Sequence, residues 1–272
     1  MTALTQERPA VLPVLRRLLA EGRWGLLAWT AGVAAAIALY IPLFPSMQTP
    51  ELAGVLDSLP PELVRTLGYE DVTSGAGYVQ ATFFGLIGFV LLTIAGVSWG
   101  AAYTGGAEES GRLELTFAHA VSRVPYAIEA WVALLVKLAV LGAVAWLLVR
   151  LLDGPAQLDL DPLNLLAGVT AWASLGLVCA SAAFAAGAAT GRRLWAIGVG
   201  AGVAVAGYVF EALANNSDDL EWLRSVSPYA WAYRSTPLAD GFDWGGLALL
   251  WVVSLGMLGV GAAVLSRRDI LG

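Results

Sequence analysis

The sequence predicts an all-α integral membrane protein with six transmembrane helices, and three observations lead there. Apolar residues make up 58% of the 272 and charged residues only 13%, about half the charged fraction usual in soluble domains. Several apolar runs reach the roughly 20 residues a helix needs to cross a hydrocarbon core of about 30 Å. Arginines and acids then separate onto alternate connections between those runs. A soluble core is excluded by this composition. The formal charge of −6 decides little, because the two faces of a membrane protein differ. The single cysteine, Cys179, lies inside an apolar run and has no internal partner, so packing is its ordinary use.

The runs are placed at about Trp24 to Leu43, Val79 to Ala102, Tyr126 to Val149, Leu163 to Thr190, Leu194 to Leu213 and Trp244 to Leu265. An even number returns both termini to one side. Arg8, Arg16, Arg17, Arg23, Arg112, Arg123, Arg192, Arg193, Arg267 and Arg268 fall on that side, against Arg65, Arg150, Arg224 and Arg234 on the other. The positive-inside rule therefore puts the termini and the 103–125 loop in the cytoplasm. Acids such as Asp153, Asp159, Asp161, Asp218, Asp219, Glu221, Asp240 and Asp243 gather on the outer side, where they hydrate the surface or draw cations toward it. The whole chain, 1–272, reads as one transmembrane domain.

Met1 to Pro13 is short and polar, with arginines before the first span, and does not read as a removable signal peptide. Across 12–23, Leu15, Leu18 and Leu19 recur at helical spacing against Arg16, Arg17, Glu21 and Arg23. That pattern suits an amphipathic helix on the inner headgroups, its arginines reaching phosphate of membrane lipids, or a cytoplasmic extension of the first span. The outer loop 44–78 carries Pro45, Pro50, Pro60 and Pro61, so it is not one helix; Glu51 to Leu59 and Glu62 to Leu67 read as two short amphipathic helices over the outer mouth. Gly96-x-x-x-Gly100, Gly187-x-x-x-Gly191 and Gly198-x-x-x-Gly202 are grooves for close helix approach.

Ala107 to Arg123, A-E-E-S-G-R-L-E-L-T-F-A-H-A-V-S-R, is the long polar interruption on the cytoplasmic side. Glu108 and Glu109 come first, then Gly111, then Arg112, Leu113, Glu114 and Leu115, with Arg123 at the head of the next run. Carboxylates early and arginine late suit a short surface helix. Such a helix is either a docking element for a soluble partner or a solvated loop. In the third span Lys137 lies near mid-membrane, where an ammonium costs about 2.5–3.5 kcal/mol. Glu129 lies about 12 Å away along the axis at 1.5 Å per residue, so pairing needs a stretched side chain or a water. Lys137 lines a path, meets a second copy of the chain, or is a structural charge paired with another span. The segment 215–243 is rich in Trp and Tyr, as membrane interfaces are. It holds Ser227-Pro228-Tyr229-Ala230-Trp231.

Several of these stretches together resemble the permease subunits of ABC exporters of the ABC-2 type. They are E-E-S-G-R-L-E-L followed by V-S-R at the head of a span, P-E-L-V-R-T-L-G in the outer loop, S-P-Y-A-W before the last span, and the closing Arg267-Arg268-Asp269-Ile270. The resemblance covers all six spans. It implies that 12–23 is an interfacial helix with Arg16, Arg17 and Arg23. It implies that Glu108 to Leu115 is the coupling helix seated in an ATPase subunit. Pro228, Tyr229 and Trp231 would then belong to re-entrant helices gating the outer exit. The implied assembly is a permease dimer, of two copies or of homologous chains, with two ATPase subunits in a bacterial plasma membrane. The implied activity is export of a hydrophobic or amphipathic compound, such as a drug, antibiotic or lipid-like molecule.

The sequence carries no G-x-x-x-x-G-K-[ST], and its one lysine lies within a span. This chain is therefore expected to be non-catalytic, with ATP and magnesium held by the partner. No metal cluster, nucleophile triad or nucleic-acid surface is read in it. A glutamate-type intramembrane protease fits poorly, since Glu108-Glu109 stand one residue too close to Arg112 and His119 is the only histidine. A gradient-driven transporter, which needs ionisable groups on discontinuous spans, is the remaining alternative.

Overall fold

The computed structural model describes residues 12–47, 73–118 and 121–268. All regular structure among them is helical. Helix α1 is Pro13–Glu21, and α2, Arg23–Tyr40, starts the first span, which runs on to Ser46 through a tightened turn at Ile41–Leu43 where Pro42 has no N–H to give. The second span is α3, Gly75–Tyr103. Two short helices follow, α4 (Gly105–Glu109) and α5 (Arg112–Ala118). The remaining spans are α6 (Arg123–Asp153), α7 (Pro162–Thr190), α8 (Arg193–Asn216) and α11 (Trp244–Arg267). Between the last two lie a 3-10 stretch, Asp218–Val226, and the short helices α9 (Pro228–Tyr233) and α10 (Pro237–Asp240).

The six spans lie within a few residues of the hydropathy reading. The two amphipathic helices expected at Glu51 to Leu59 and Glu62 to Leu67 lie outside the described residues, as do His119, Asp269 and Ile270. The spans run up and down. Tyr78 at the start of α3 donates to the Tyr40 carbonyl at 2.8 Å, and Tyr126 at the start of α6 donates to the Tyr103 carbonyl at 2.7 Å. Arginines of one end (Arg16, Arg17, Arg23, Arg112, Arg123, Arg192, Arg193, Arg267, Arg268) and acids of the other (Asp153, Asp161, Asp218, Asp243) therefore mark a basic and an acidic end of the bundle.

Helix α7 is the centre, with 83% of its most apolar window buried, against 22% to 50% for the other spans. Alanine, glycine and serine along it let neighbours come close, which in a membrane replaces hydrophobic driving force by packing. Gly96 of α3 lies against Ala180 and the Gly176 carbonyl, and a methyl group on Gly100 would strike the Ala180 carbonyl. The first glycine pair is thus a packing groove. The third is not: a side chain on Gly198 or Gly202 would meet nothing within 4 Å, while Gly200 between them packs on Ala183 and Val97. Gly191 of the second pair has φ +67 and closes α7 as a left-handed C-cap.

Acids read as surface hydration at the acidic end have a structural use. Asp161 accepts the Leu163 and Asn164 amides at 2.8 and 3.0 Å, capping α7, and Asp243 accepts those of Gly245 and Gly246, capping α11. Asp153 accepts the Leu160 amide at 3.1 Å and pairs with Arg150.

Candidate functional site

At the basic end the chain leaves α3, makes α4, and turns at Ser110–Gly111 into α5. One continuous Glu108 to Leu115 helix is the expectation, and the structure corrects it. Gly111 has φ +69, a left-handed conformation that ends one helix and lets the next start in a new direction. Glu108 and Glu109 consequently close α4 rather than open a longer helix. Glu108, its side chain 11% exposed, forms an ion pair with Arg268 at the end of α11. Glu109 accepts the Arg193 amide at 3.0 Å and so caps α8, which has no side-chain cap of its own. A carboxylate there also meets the positive end of that helix.

Arg123 is similarly committed within the chain. Its Nη1 donates to the Leu265 and Arg268 carbonyls at 3.0 and 2.6 Å, and the guanidinium lies over Phe117. Leu113 is buried and anchors α5. Arg112 and Leu115 are exposed, Leu115 to 63%, and Glu114 is half-buried. The predicted docking residues therefore divide into an inward set, Glu108, Leu113 and Arg123, an outward set, Arg112 and Leu115, Glu114 between the two, Gly111 at the turn, and Glu109, which is exposed yet spoken for.

Helix α1 forms as expected and sits beside this region. Arg16 and Arg23 are exposed, Arg23 over Trp24, and Arg17 pairs with Glu21 at 2.7 Å. Its N-terminus is held by an unexpected group: Glu129 of α6 accepts the Leu15 amide at 2.9 Å. Glu129 is thus spent on a helix end, and the Lys137–Glu129 pairing considered from the sequence does not form. Lys137, 2% exposed, instead holds its ammonium over the rings of Trp99 and Tyr103, 4.9 and 5.2 Å from their centres.

At the acidic end the backbone of α3 carries a feature with no sequence signature. Gln80–Ile87 is a π-helical stretch, and the Gly88 amide reaches back to the Phe83 carbonyl. Such widening displaces neighbouring carbonyls from their usual partners, and it concentrates at functional positions. Tyr229 and Tyr233 of α9 supply replacements, donating to the Gly85 and Phe84 carbonyls at 2.9 Å each. In the sequence Tyr233 reads only as one of the interfacial aromatics of 215–243; its four-residue spacing from Tyr229, one helical turn, is the signal that pairs the two. The two tyrosines also border a cavity of about 710 Å³ lined further by Gln80, Tyr208, Glu211 and Arg224. Of the other predicted gate residues, Pro228 opens α9, and Trp231 donates to the Ser225 carbonyl at 3.0 Å instead of lining the cavity.

Among the described residues no group of three or more His, Cys, Asp or Glu could hold a metal ion. Residues 18–265 match the family model described as multidrug efflux system permease Rv1217c, C-terminal domain. No curated protein matches the chain.

Proposed function

We propose that this chain, which belongs to the multidrug efflux system permease Rv1217c C-terminal domain family, is the membrane-spanning subunit of an ATP-driven ABC exporter of the ABC-2 type. It would move a hydrophobic or amphipathic compound out of a bacterial cell. In this reading the chain is not itself an enzyme. Two ATPase subunits hold ATP and magnesium on the cytoplasmic face, a second permease copy or a homologue completes the pathway, and the basic end faces the cytoplasm.

The observation that carries the reading is the α4–α5 pair. An exposed face with Arg112 and Leu115 hangs on Gly111, while the pair is tied to three spans: Glu108 holds it to α11, Glu109 to α8, and Phe117 packs under Arg123 of α6, which itself donates to the end of α11. A soluble subunit pushing on that face would displace several helix ends together. This is what a chain with no phosphate-binding loop of its own needs in order to use a partner's ATP.

The test is to purify the tagged chain from its host in mild detergent, and ask whether a P-loop ATPase travels with it and hydrolyses ATP. Leu115→Asp with Arg112→Glu should release that subunit without unfolding the permease. A chain that comes out alone, with no ATPase activity and with transport that follows an ion gradient, would replace this reading by the gradient-driven one.

A further inference from the structure

A second cavity, about 520 Å³, opens at the basic end between α1, α3, α5 and α6. Its charged lining is Arg17, Glu21, Arg112 and Lys137. Glu21 is already paired with Arg17, and Glu129 with the end of α1, which leaves Lys137 with no carboxylate within ion-pairing distance among the described residues. A lysine this deep is ordinarily paired. Its aromatic neighbours Trp99 and Tyr103 line the same cavity, and they favour the cation through their ring faces without neutralising it. Space is kept for the ammonium at Gly22, where a methyl group would collide with Nζ. The result is an apolar, aromatic chamber with a fixed positive charge inside and a second, Arg112, at its edge.

We propose that this cavity receives an amphiphile through its acid group, a carboxylate or phosphate seated on the Lys137 ammonium, with the apolar part along Trp99 and Tyr103. This names the chemical class taken up by the permease, and so it rests on the export reading above. The same acid group could be carried by a free amphiphile or by the headgroup of an anionic lipid.

The probe is 11-(dansylamino)undecanoic acid, compared with its methyl ester, binding to the purified full-length chain in an uncharged detergent. The acid should bind the wild-type chain about tenfold or more tightly than the ester. Lys137→Met should erase that preference and leave ester binding, which reports an intact chamber, unchanged; Lys137→Arg should keep it. Gly22→Ala, whose methyl displaces the ammonium and also presses on the Leu18 carbonyl, should reduce the preference while ester binding holds, and it tests the idea even if Lys137→Met fails to fold. A wild-type chain indifferent to the acid, or a preference that survives Lys137→Met, overturns the proposal. Displacement of the probe by phosphatidylglycerol but not phosphatidylcholine assigns the site to a lipid headgroup; resistance to both assigns it to a free amphiphile, and either upholds the acid on Lys137. The assay uses no ATPase, so an acid preference in a chain that recruits no ATPase would sink the export mechanism and leave this site standing.

Discussion

On the ATP-driven export reading proposed above, replacing Glu108 by glutamine should separate docking from transmission. The Glu108–Arg268 pair has side-chain exposures of 11% and 25%. Breaking a fully buried pair costs about 3–5 kcal/mol, while exposed pairs are worth about 0–1 kcal/mol. A pair at the rim of the bundle, with its arginine a quarter exposed, falls between them, at about 2 kcal/mol. Glutamine keeps the size of the side chain, so the loss is one of charge rather than packing. If the pair carries motion from α4 to α11, about 2 kcal/mol is roughly a thirtyfold shift toward an arrangement in which the two move separately. The assay is ATP-driven uptake of a fluorescent amphiphile into inside-out proteoliposomes, read beside ATP hydrolysis in the same vesicles. In Glu108→Gln the ATPase subunit should stay bound and hydrolysis should hold within about twofold, while compound moved per ATP falls about tenfold or more. The swap of Glu108→Arg with Arg268→Glu should recover much of the loss. Unchanged transport per ATP in Glu108→Gln, or transport lost only because the ATPase dissociates, would refute the clamp.

Further substitutions at five positions test the framework. Tyr229→Phe and Tyr233→Phe each leave a backbone carbonyl of the π-helical stretch without its hydroxyl donor, so each should cost about 1 kcal/mol. Thermal unfolding followed by a thiol-reactive dye measures this, since the only cysteine, Cys179, is fully buried and reacts on unfolding. Gly111→Ala should cost about 1 kcal/mol, from backbone strain alone because nothing lies within 4 Å of the added methyl, and Gly111→Asn should cost less. The same dye assay and ATPase retention read it. Gly100→Leu should prevent stable assembly of α3 on α7, whereas Gly198→Leu should leave the melting temperature unchanged, a contrast read by size-exclusion chromatography and unfolding together.

The spans were legible because the physics that sets them is local: a run of apolar residues long enough to cross, bounded by charge, has few other solutions. The amphipathic helix α1 was legible for the same reason, its leucines and arginines keeping opposite faces. The polar residues were legible in place but not in partner. Glu108 and Glu109 read as the opening of a helix because acids favour that position, yet Gly111 ends the helix before they can open it. Their actual partners, Arg268 and the Arg193 amide, lie far along the chain. Glu129 and Lys137 share one helix and invited pairing, but the end of α1 competes for the carboxylate and offers an unpaired amide at 2.9 Å. A glycine spacing of four marks a groove only where a second helix lies opposite. That condition holds for Gly96 and Gly100 and fails, within this chain, for Gly198 and Gly202. The π-helical stretch depends on tyrosines that follow it by about 150 residues, so no window of local sequence contains it.

Both ends of the bundle solve one problem in the same way. Each has a place where a helix is interrupted, at Gly111 near the basic end and along Gln80–Ile87 near the acidic end, and each is braced by groups from the last third of the sequence. Arg268 and the Arg193 amide hold α4 just before the first; Tyr229 and Tyr233 hold carbonyls within the second. Between them, α3 and α7 approach closely through Gly96 and Gly100, with Leu92 seated on Gly176 and Phe83 and Phe84 packed on Trp172. A close-packed seam transmits strain instead of dissipating it. A push at α4 is therefore felt at the tyrosine-held carbonyls as movement of a rigid unit. The bonds that yield first are those at the two interruptions, where single hydrogen bonds stand in for a continuous helix. On this view Tyr233→Phe and Glu108→Gln act on one motion from opposite ends, and their combined effect on transport per ATP should be less than the product of the two.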